Sequence, residues 1–86
     1  MRVFLGEKGL KETWQEEFPK TTKCVHCKGE SRIGFVAGEG GEEKRGNYVS
    51  NLHENKPKSM WLHDACAVAV YFCKECLEPT ALYNQA

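Results

Sequence analysis

The chain has 86 residues, of which 41% are hydrophobic, and its 12 basic side chains balance 12 acidic ones for a formal net charge of +0. A chain of this length forms one domain and buries little apolar surface for each residue that it orders, so such domains commonly need a cross-link or a bound metal. The balanced charge excludes the strongly basic field that attracts nucleic acid and the acidic run that is typical of a disordered tail.

The first residues, Met1 to Gly6, contain no apolar run long enough for a signal peptide or a membrane span. The chain has five cysteines, and an odd number argues against a framework in which every cysteine forms a disulfide. Cysteines of a chain that is not exported stay reduced and commonly bind metal. We therefore expect a cytoplasmic protein with no membrane partner.

Residues 1–19 are expected to form a short strand, Val3–Leu5, followed by an amphipathic helix. Leu10, Trp14 and Phe18 recur at every fourth position, which places them on one helical stripe, and Pro19 ends the segment. We expect this stripe to pack against the rest of the domain.

The next segment contains a turn and two predicted strands. Cys24 and Cys27 form a Cys-x-x-Cys knuckle, and Gly29 is expected to supply the left-handed backbone with which such turns commonly end. Alternating apolar residues predict a strand over Ser31–Ala37. A glycine-rich charged loop, 38–46, separates it from a returning strand, Asn47–His53, so that the two strands form a hairpin.

Met60–Phe72 is the most apolar stretch, and its pattern is compatible with a strand or with a helix capped by Asp64. The β-branched and aromatic residues that precede Cys73 favour the strand. In that strand Cys66, Val68, Val70 and Phe72 face one way, and Ala67, Ala69 and Tyr71 face the other. After Cys76, residues 79–86 are expected to be a C-terminal tail or a short helix that starts at Pro79.

Two Cys-x-x-Cys pairs, Cys24–Cys27 and Cys73–Cys76, match the ligand pattern of a structural zinc site. Four thiolates complete a tetrahedral shell around one Zn²⁺ and leave no position for a reactive water. The pattern therefore predicts one structural zinc ion and no enzymatic activity. Iron in a tetrathiolate site is a less favoured alternative.

A rival ligand set comes from the stretch Trp61-Leu-His63-Asp-Ala-Cys66. Its Trp-x-His-x-x-Cys form resembles half of a plant-homeodomain (PHD) or LIM finger, and this resemblance implies that Cys24, Cys27, His63 and Cys66 hold the metal. We prefer the four-cysteine set because it uses both knuckles. Cys66 is then expected to be a small buried apolar residue.

The order of knuckle, hairpin, apolar strand and second knuckle is similar to the zinc-ribbon and treble-clef superfamily of zinc fingers, over Lys23 to about Leu77. The resemblance implies a small metal-stabilised α+β domain with a zinc-ribbon-like, three-stranded antiparallel sheet, two cysteine knuckles and an N-terminal amphipathic helix. We expect residues 1–86 to be a single zinc-binding domain, in which 1–19 pack on a core formed by 20–78.

We expect this domain to act as a small accessory or regulatory module that binds a protein partner, as a monomer or a weak dimer. An alternative is a nucleic-acid-binding zinc ribbon, since Lys20, Lys23, Lys28 and Arg32 surround the first knuckle. A second alternative is a rubredoxin-like iron electron carrier, which would use the same four cysteines.

Overall fold

The computed structural model describes residues 2–13, 16–39 and 66–85. They form one antiparallel sheet whose strands are β1 (Arg2–Leu5), β2 (Thr21–Lys23), β3 (Glu30–Gly38), β4 (Cys66–Cys73) and β5 (Pro79–Gln85). The prediction of a small antiparallel sheet is confirmed. The predicted number of three strands is wrong, because β1 joins the sheet and because β2 and β5 were not predicted.

β3 lies in the middle of the described sheet. One of its edges pairs with β4 from Ser31 to Gly38, and β4 in turn pairs with β5. The other edge is shared by β2, which pairs near the start of β3, and β1, which pairs near its end. The predicted hairpin partner of this strand, 47–53, lies outside the described residues, and both edges of β3 are paired without it.

β4 confirms the strand prediction over Cys66–Cys73, and the alternative of a helix is wrong for these residues. Ala67, Ala69 and Tyr71 share one face of the strand, as the alternation predicted, and all three are fully buried. They pack with Val36 of β3 and with Leu10 and Phe18 from the N-terminal segment. We call this side of the sheet the inner face. The first part of the predicted strand, 60–65, lies outside the described residues.

The N-terminal amphipathic helix is not present in the described residues. Gly6, with φ of 58°, leads from β1 into a short 3-10 helix, Gly6–Gly9. Leu10 and Phe18 are both buried, but the Phe18 amide donates to the Leu10 carbonyl at 3.0 Å, across eight residues instead of the four of an α-helix. A short isolated helix is only marginally stable, and a looped segment buries the same two side chains. Trp14 lies outside the described residues.

The helix predicted to start at Pro79 is also wrong, because Pro79–Gln85 is strand β5. Every residue from Pro79 to Gln85 has a partner in β4. Thr80 and Leu82 point to the inner face, where Thr80 is buried. Proline has no amide hydrogen to donate to a neighbouring strand, so it is confined to positions such as the first residue of a strand, which Pro79 occupies.

Gly9 fills a place where no side chain fits, and this leads to a stability prediction. A Cβ atom at Gly9 would lie 2.7 Å from the Cβ atoms of both Phe4 and Val36, which are held by the backbone and cannot rotate away. We expect Gly9→Ala to lower the free energy of unfolding by about 1–3 kcal/mol, the usual cost of overpacking. Urea denaturation measures the loss. Gly38→Ala is the matched control, since a Cβ there meets no atom of the described residues within 4 Å, and an equal loss in both variants would contradict the prediction.

Candidate metal centre

The antiparallel sheet brings the two Cys-x-x-Cys knuckles to the same end of the molecule. The first knuckle connects β2 to β3, and the second connects β4 to β5. β3 begins just after the first knuckle, and β4 ends at the first cysteine of the second knuckle. The two strands are antiparallel neighbours. The start of β3 therefore lies beside the end of β4. Ser31 pairs with Cys73 at this end.

The four knuckle cysteines form a cluster that fits one metal ion. The sulfurs of Cys24, Cys27, Cys73 and Cys76 all lie within 4.8 Å of one another. Across the two knuckles, the Cys24 and Cys76 sulfurs are 3.7 Å apart, and those of Cys27 and Cys73 are 3.5 Å apart. Metal–sulfur bonds of about 2.3 Å in a tetrahedral shell place the sulfurs roughly 3.8 Å apart. All four thiols are free, and the spacing is too long for disulfides.

The two knuckles share four hydrogen bonds around their first cysteine. The sulfur of the first cysteine accepts two amides in each: those of His26 and Cys27 at Cys24, and those of Glu75 and Cys76 at Cys73. Each turn is also closed by two backbone bonds. The Cys24 amide donates to the Gly29 carbonyl and the Lys28 amide to the Cys24 carbonyl, and in the second knuckle Cys73 bonds to Glu78 and Leu77 in the same way.

The left-handed residue of each knuckle directly follows its second cysteine. Lys28 has φ of 68° and Leu77 has φ of 62°. The predicted left-handed role of Gly29 is therefore wrong. A Cβ atom at Gly29 would overlap the carboxylate of Glu75, an exposed side chain that can rotate away, and would lie 3.3 Å from the Cys27 sulfur. The second knuckle has Glu78, and not a glycine, at the position equivalent to Gly29. Its backbone nevertheless has the same form as that of the first knuckle.

Leu77 carries backbone strain that a glycine would remove. A left-handed conformation costs an ordinary residue about 1–2 kcal/mol, and the Leu77 side chain is 75% exposed, so little burial offsets this cost. We expect Leu77→Gly to raise the free energy of unfolding by about 1 kcal/mol after the greater freedom of glycine in the unfolded chain is subtracted. Thermal or urea unfolding tests this. Val25→Gly is the control: Val25 is equally exposed but has negative φ, so that variant should lose stability. A loss in both variants would contradict the prediction.

The electrostatics of the cluster favour a dication. The Cys27 amide, followed by that of His26, stabilises the Cys24 thiolate and lowers the pKa of Cys24 to about 6 against the opposing effect of burial. The pKa of Cys73 is lowered by the amides of Cys76 and Glu75. Cys76 has the opposite balance: its pKa rises to about 12, because burial and the neighbouring sulfurs outweigh the Glu78 amide. Four thiolates at this spacing repel one another, and a doubly charged cation between them offsets much of that repulsion.

The rival ligand set is not brought together. Cys66 begins β4 and Cys73 ends it, so the two lie about 23 Å apart along an extended strand. Cys66 is buried, its thiol donates to the Tyr83 hydroxyl at 3.9 Å, and burial raises its pKa. One ion cannot contact Cys66 and the first knuckle at once. Trp61 and His63 lie outside the described residues.

The basic residues around the first knuckle are partly neutralised by carboxylates. Lys20 lies 3.4 Å from Glu7, and Arg32 lies 3.8 Å from Glu30, which is also 3.9 Å from Lys74. Lys23 and Lys28 are exposed. His26 is exposed within its knuckle and takes part in the cluster through its backbone amide.

Two hydroxyl residues near the cluster were missed by the sequence reasoning. Thr80 is buried, and its hydroxyl oxygen accepts the Val25 amide at 3.1 Å, which ties β5 to the first knuckle. Ser31 occupies the equivalent position after the first knuckle. A signal was present in the sequence, because a hydroxyl residue follows the first cysteine of each knuckle at the same distance.

The fold and the site together define a small antiparallel sheet domain with a four-cysteine cluster that can hold a metal ion. No protein-family model matches the chain, and neither does any curated protein or solved structure. In the part of the chain that the structure describes, no helix has the length and apolar character needed to span a membrane.

Proposed function

We propose that this chain is a zinc-ribbon module in which Cys24, Cys27, Cys73 and Cys76 bind one Zn²⁺ that stabilises the fold. The observation that carries the proposal is the meeting of four sulfurs, all within 4.8 Å of one another, on two knuckles that share four hydrogen bonds around their first cysteine. Thiolates are preferred ligands of zinc, and four of them leave no open position for a substrate or water. We therefore propose a structural ion and no catalytic role.

We further propose that the module binds a protein through the side of the sheet opposite the inner face, which we call the outer face. Strand pairing places two apolar rows there: Leu5, Phe35, Val70 and Ala81, and beside them Val3, Ala37, Val68 and Tyr83. Neither row contains a charged residue. Leu5 is 70% exposed and Val3 is 59% exposed. The central residues of the two rows are half-buried, and the exposed apolar residues of these rows lie on the flanking strands β1 and β5. An exposed apolar patch is typical of a protein-binding site.

The nucleic-acid alternative has weaker support. Of the four basic residues on which it depends, Lys20 and Arg32 lie within 4 Å of carboxylates, and such pairs reduce the positive potential available to phosphates. The iron-carrier alternative rests only on the same four thiolates, which suit both metals. A reducing compartment such as the cytoplasm suits a site built from free thiols.

Metal analysis of the purified chain separates the proposal from the iron carrier, and heparin chromatography separates it from the nucleic-acid alternative. We expect about one zinc per chain and no iron, as a closed tetrathiolate site requires. Iron with visible absorption would support the electron carrier instead. We also expect no retention on heparin at low salt, and retention that falls steeply with added salt would support nucleic-acid binding.

A further inference from the structure

Ser31 is a buried polar residue whose hydroxyl lacks a hydrogen-bond partner in the described structure. The residue is fully buried, and no acceptor or donor meets its Oγ atom. Leaving a buried polar group unsatisfied costs about 1–3 kcal/mol, so such a group calls for a partner. Cysteine, alanine or valine would fill this strand position without that cost.

The strand pairing places the Ser31 side chain directly beside Cys73. The backbone amides of Cys73 and Lys74 point to opposite neighbours of β4. The Cys73 amide donates to Glu78, on the side of β5, and the Lys74 amide donates to Glu30, on the side of β3. Ser31 and Cys73, which are register partners, therefore form a non-hydrogen-bonded pair. In such pairs the Cα atoms are only about 4.5 Å apart and the side chains are close.

The equivalent residue in the other hairpin, Thr80, bonds to a backbone amide of the facing knuckle. Thr80 uses its hydroxyl oxygen to accept the Val25 amide of the first knuckle. The corresponding amide of the second knuckle, that of Lys74, is taken by the Glu30 carbonyl and does not reach Ser31. The Ser31 hydroxyl is thus left with a hydrogen to donate, next to a cysteine sulfur.

We propose that Ser31 donates its hydroxyl hydrogen to the Cys73 sulfur when that sulfur is a metal-bound thiolate. This inference rests on the proposed zinc site. A neutral thiol is a weak acceptor, whereas a thiolate is charged and accepts strongly. Rotation about the single Cα–Cβ bond of Ser31 moves Oγ among three staggered positions around its neighbour. Ser31 then joins the amides of Glu75 and Cys76 as a third donor and acts as a positioning residue for the metal ligand.

Cobalt substitution provides the test, because Co²⁺ in a tetrathiolate site has a sulfur-to-metal charge-transfer absorption that responds to hydrogen bonds on sulfur. We expect Ser31→Ala to shift this absorption to lower energy, since a thiolate that loses a donor becomes richer in electrons. We also expect the affinity for Co²⁺ and Zn²⁺, measured by competition with a chelating indicator, to fall about 10-fold or more, as when other partners of metal ligands are removed.

Tyr71→Phe is the matched control. It also removes one buried hydroxyl, which donates to the Pro19 carbonyl at 2.6 Å, but this hydroxyl is not in the cluster. Because metal binding is coupled to folding, Tyr71→Phe should lower the apparent affinity somewhat without moving the absorption band. Ser31→Thr keeps a hydroxyl and should keep the wild-type band.

The outcomes separate this inference from the proposed function. A wild-type chain that takes up no Co²⁺, or that shows no thiolate absorption, contradicts the zinc site itself. A normal wild-type spectrum with an unchanged band in Ser31→Ala overturns only the role of Ser31, even if that variant is less stable, because a purely structural hydroxyl would behave in that way.

Discussion

Replacing Cys73 by serine is expected to abolish stoichiometric zinc binding. A serine hydroxyl does not ionise at neutral pH and cannot replace a thiolate ligand, and Cys73 also receives the amides of Glu75 and Cys76. The affinity should fall by more than about 100-fold, the upper end of what losing an outer hydrogen-bond partner costs. Zinc content after gel filtration, measured by mass spectrometry, gives the result.

Cys66→Ser is the matched control for this prediction. Cys66 is also buried, on the same strand, but it lies at the end of β4 that is remote from the cluster. The variant should retain one zinc per chain. Its free energy of unfolding should be lower than that of the wild type, because a hydroxyl replaces a thiol in a buried position. Zinc retained by Cys73→Ser and lost from Cys66→Ser would reverse the ligand assignment in favour of the set that contains His63 and Cys66.

Removing the metal is expected to unfold the domain. Structural zinc contributes an apparent binding free energy of about 10–16 kcal/mol to the folding of small metal-binding domains. The free energy of unfolding of a whole protein is only about 5–15 kcal/mol. Among the described residues, Tyr71 and Val36 are the largest fully buried side chains apart from the cluster. We expect this core not to hold the sheet when the knuckles separate. Excess chelator should therefore remove the β-sheet signal in circular dichroism.

Added Zn²⁺ should restore the sheet signal after chelation, and Mg²⁺ should not, because magnesium prefers oxygen ligands. The same titration on Cys66→Ser serves as the control and should give the wild-type response. A chain that keeps its sheet in excess chelator would show that the inner face alone stabilises the fold, and the metal would then have a role other than a structural one.

Local patterns predicted the parts of this molecule that depend on neighbours in the chain. The β-branched and aromatic residues before Cys73 were sufficient to favour the strand β4, and the alternation gave the residues that share a face, because side chains of a strand point to opposite sides at every step. The four-cysteine set followed from ligand chemistry and spacing, and the fold brings those four residues together.

The errors arose where long-range pairing overrides a local pattern. Leu10 and Phe18 have helical spacing, but the inner face buries both through a loop. The run that begins at Pro79 contains alanine and leucine, which favour helices, yet pairing with β4 along its whole length makes it a strand. In both cases tertiary contacts contribute more to the stability of the observed structure than local propensity contributes to that of a helix.

The sequence by itself determined that this is a small sheet domain with four thiols suited to one metal, because residue type and spacing set strand alternation and ligand chemistry. Only the tertiary structure decided that Cys66 lies far from the cluster and that Ser31 lies beside Cys73. These facts depend on the register of strands that are distant in the chain, and register is a property of the assembled sheet.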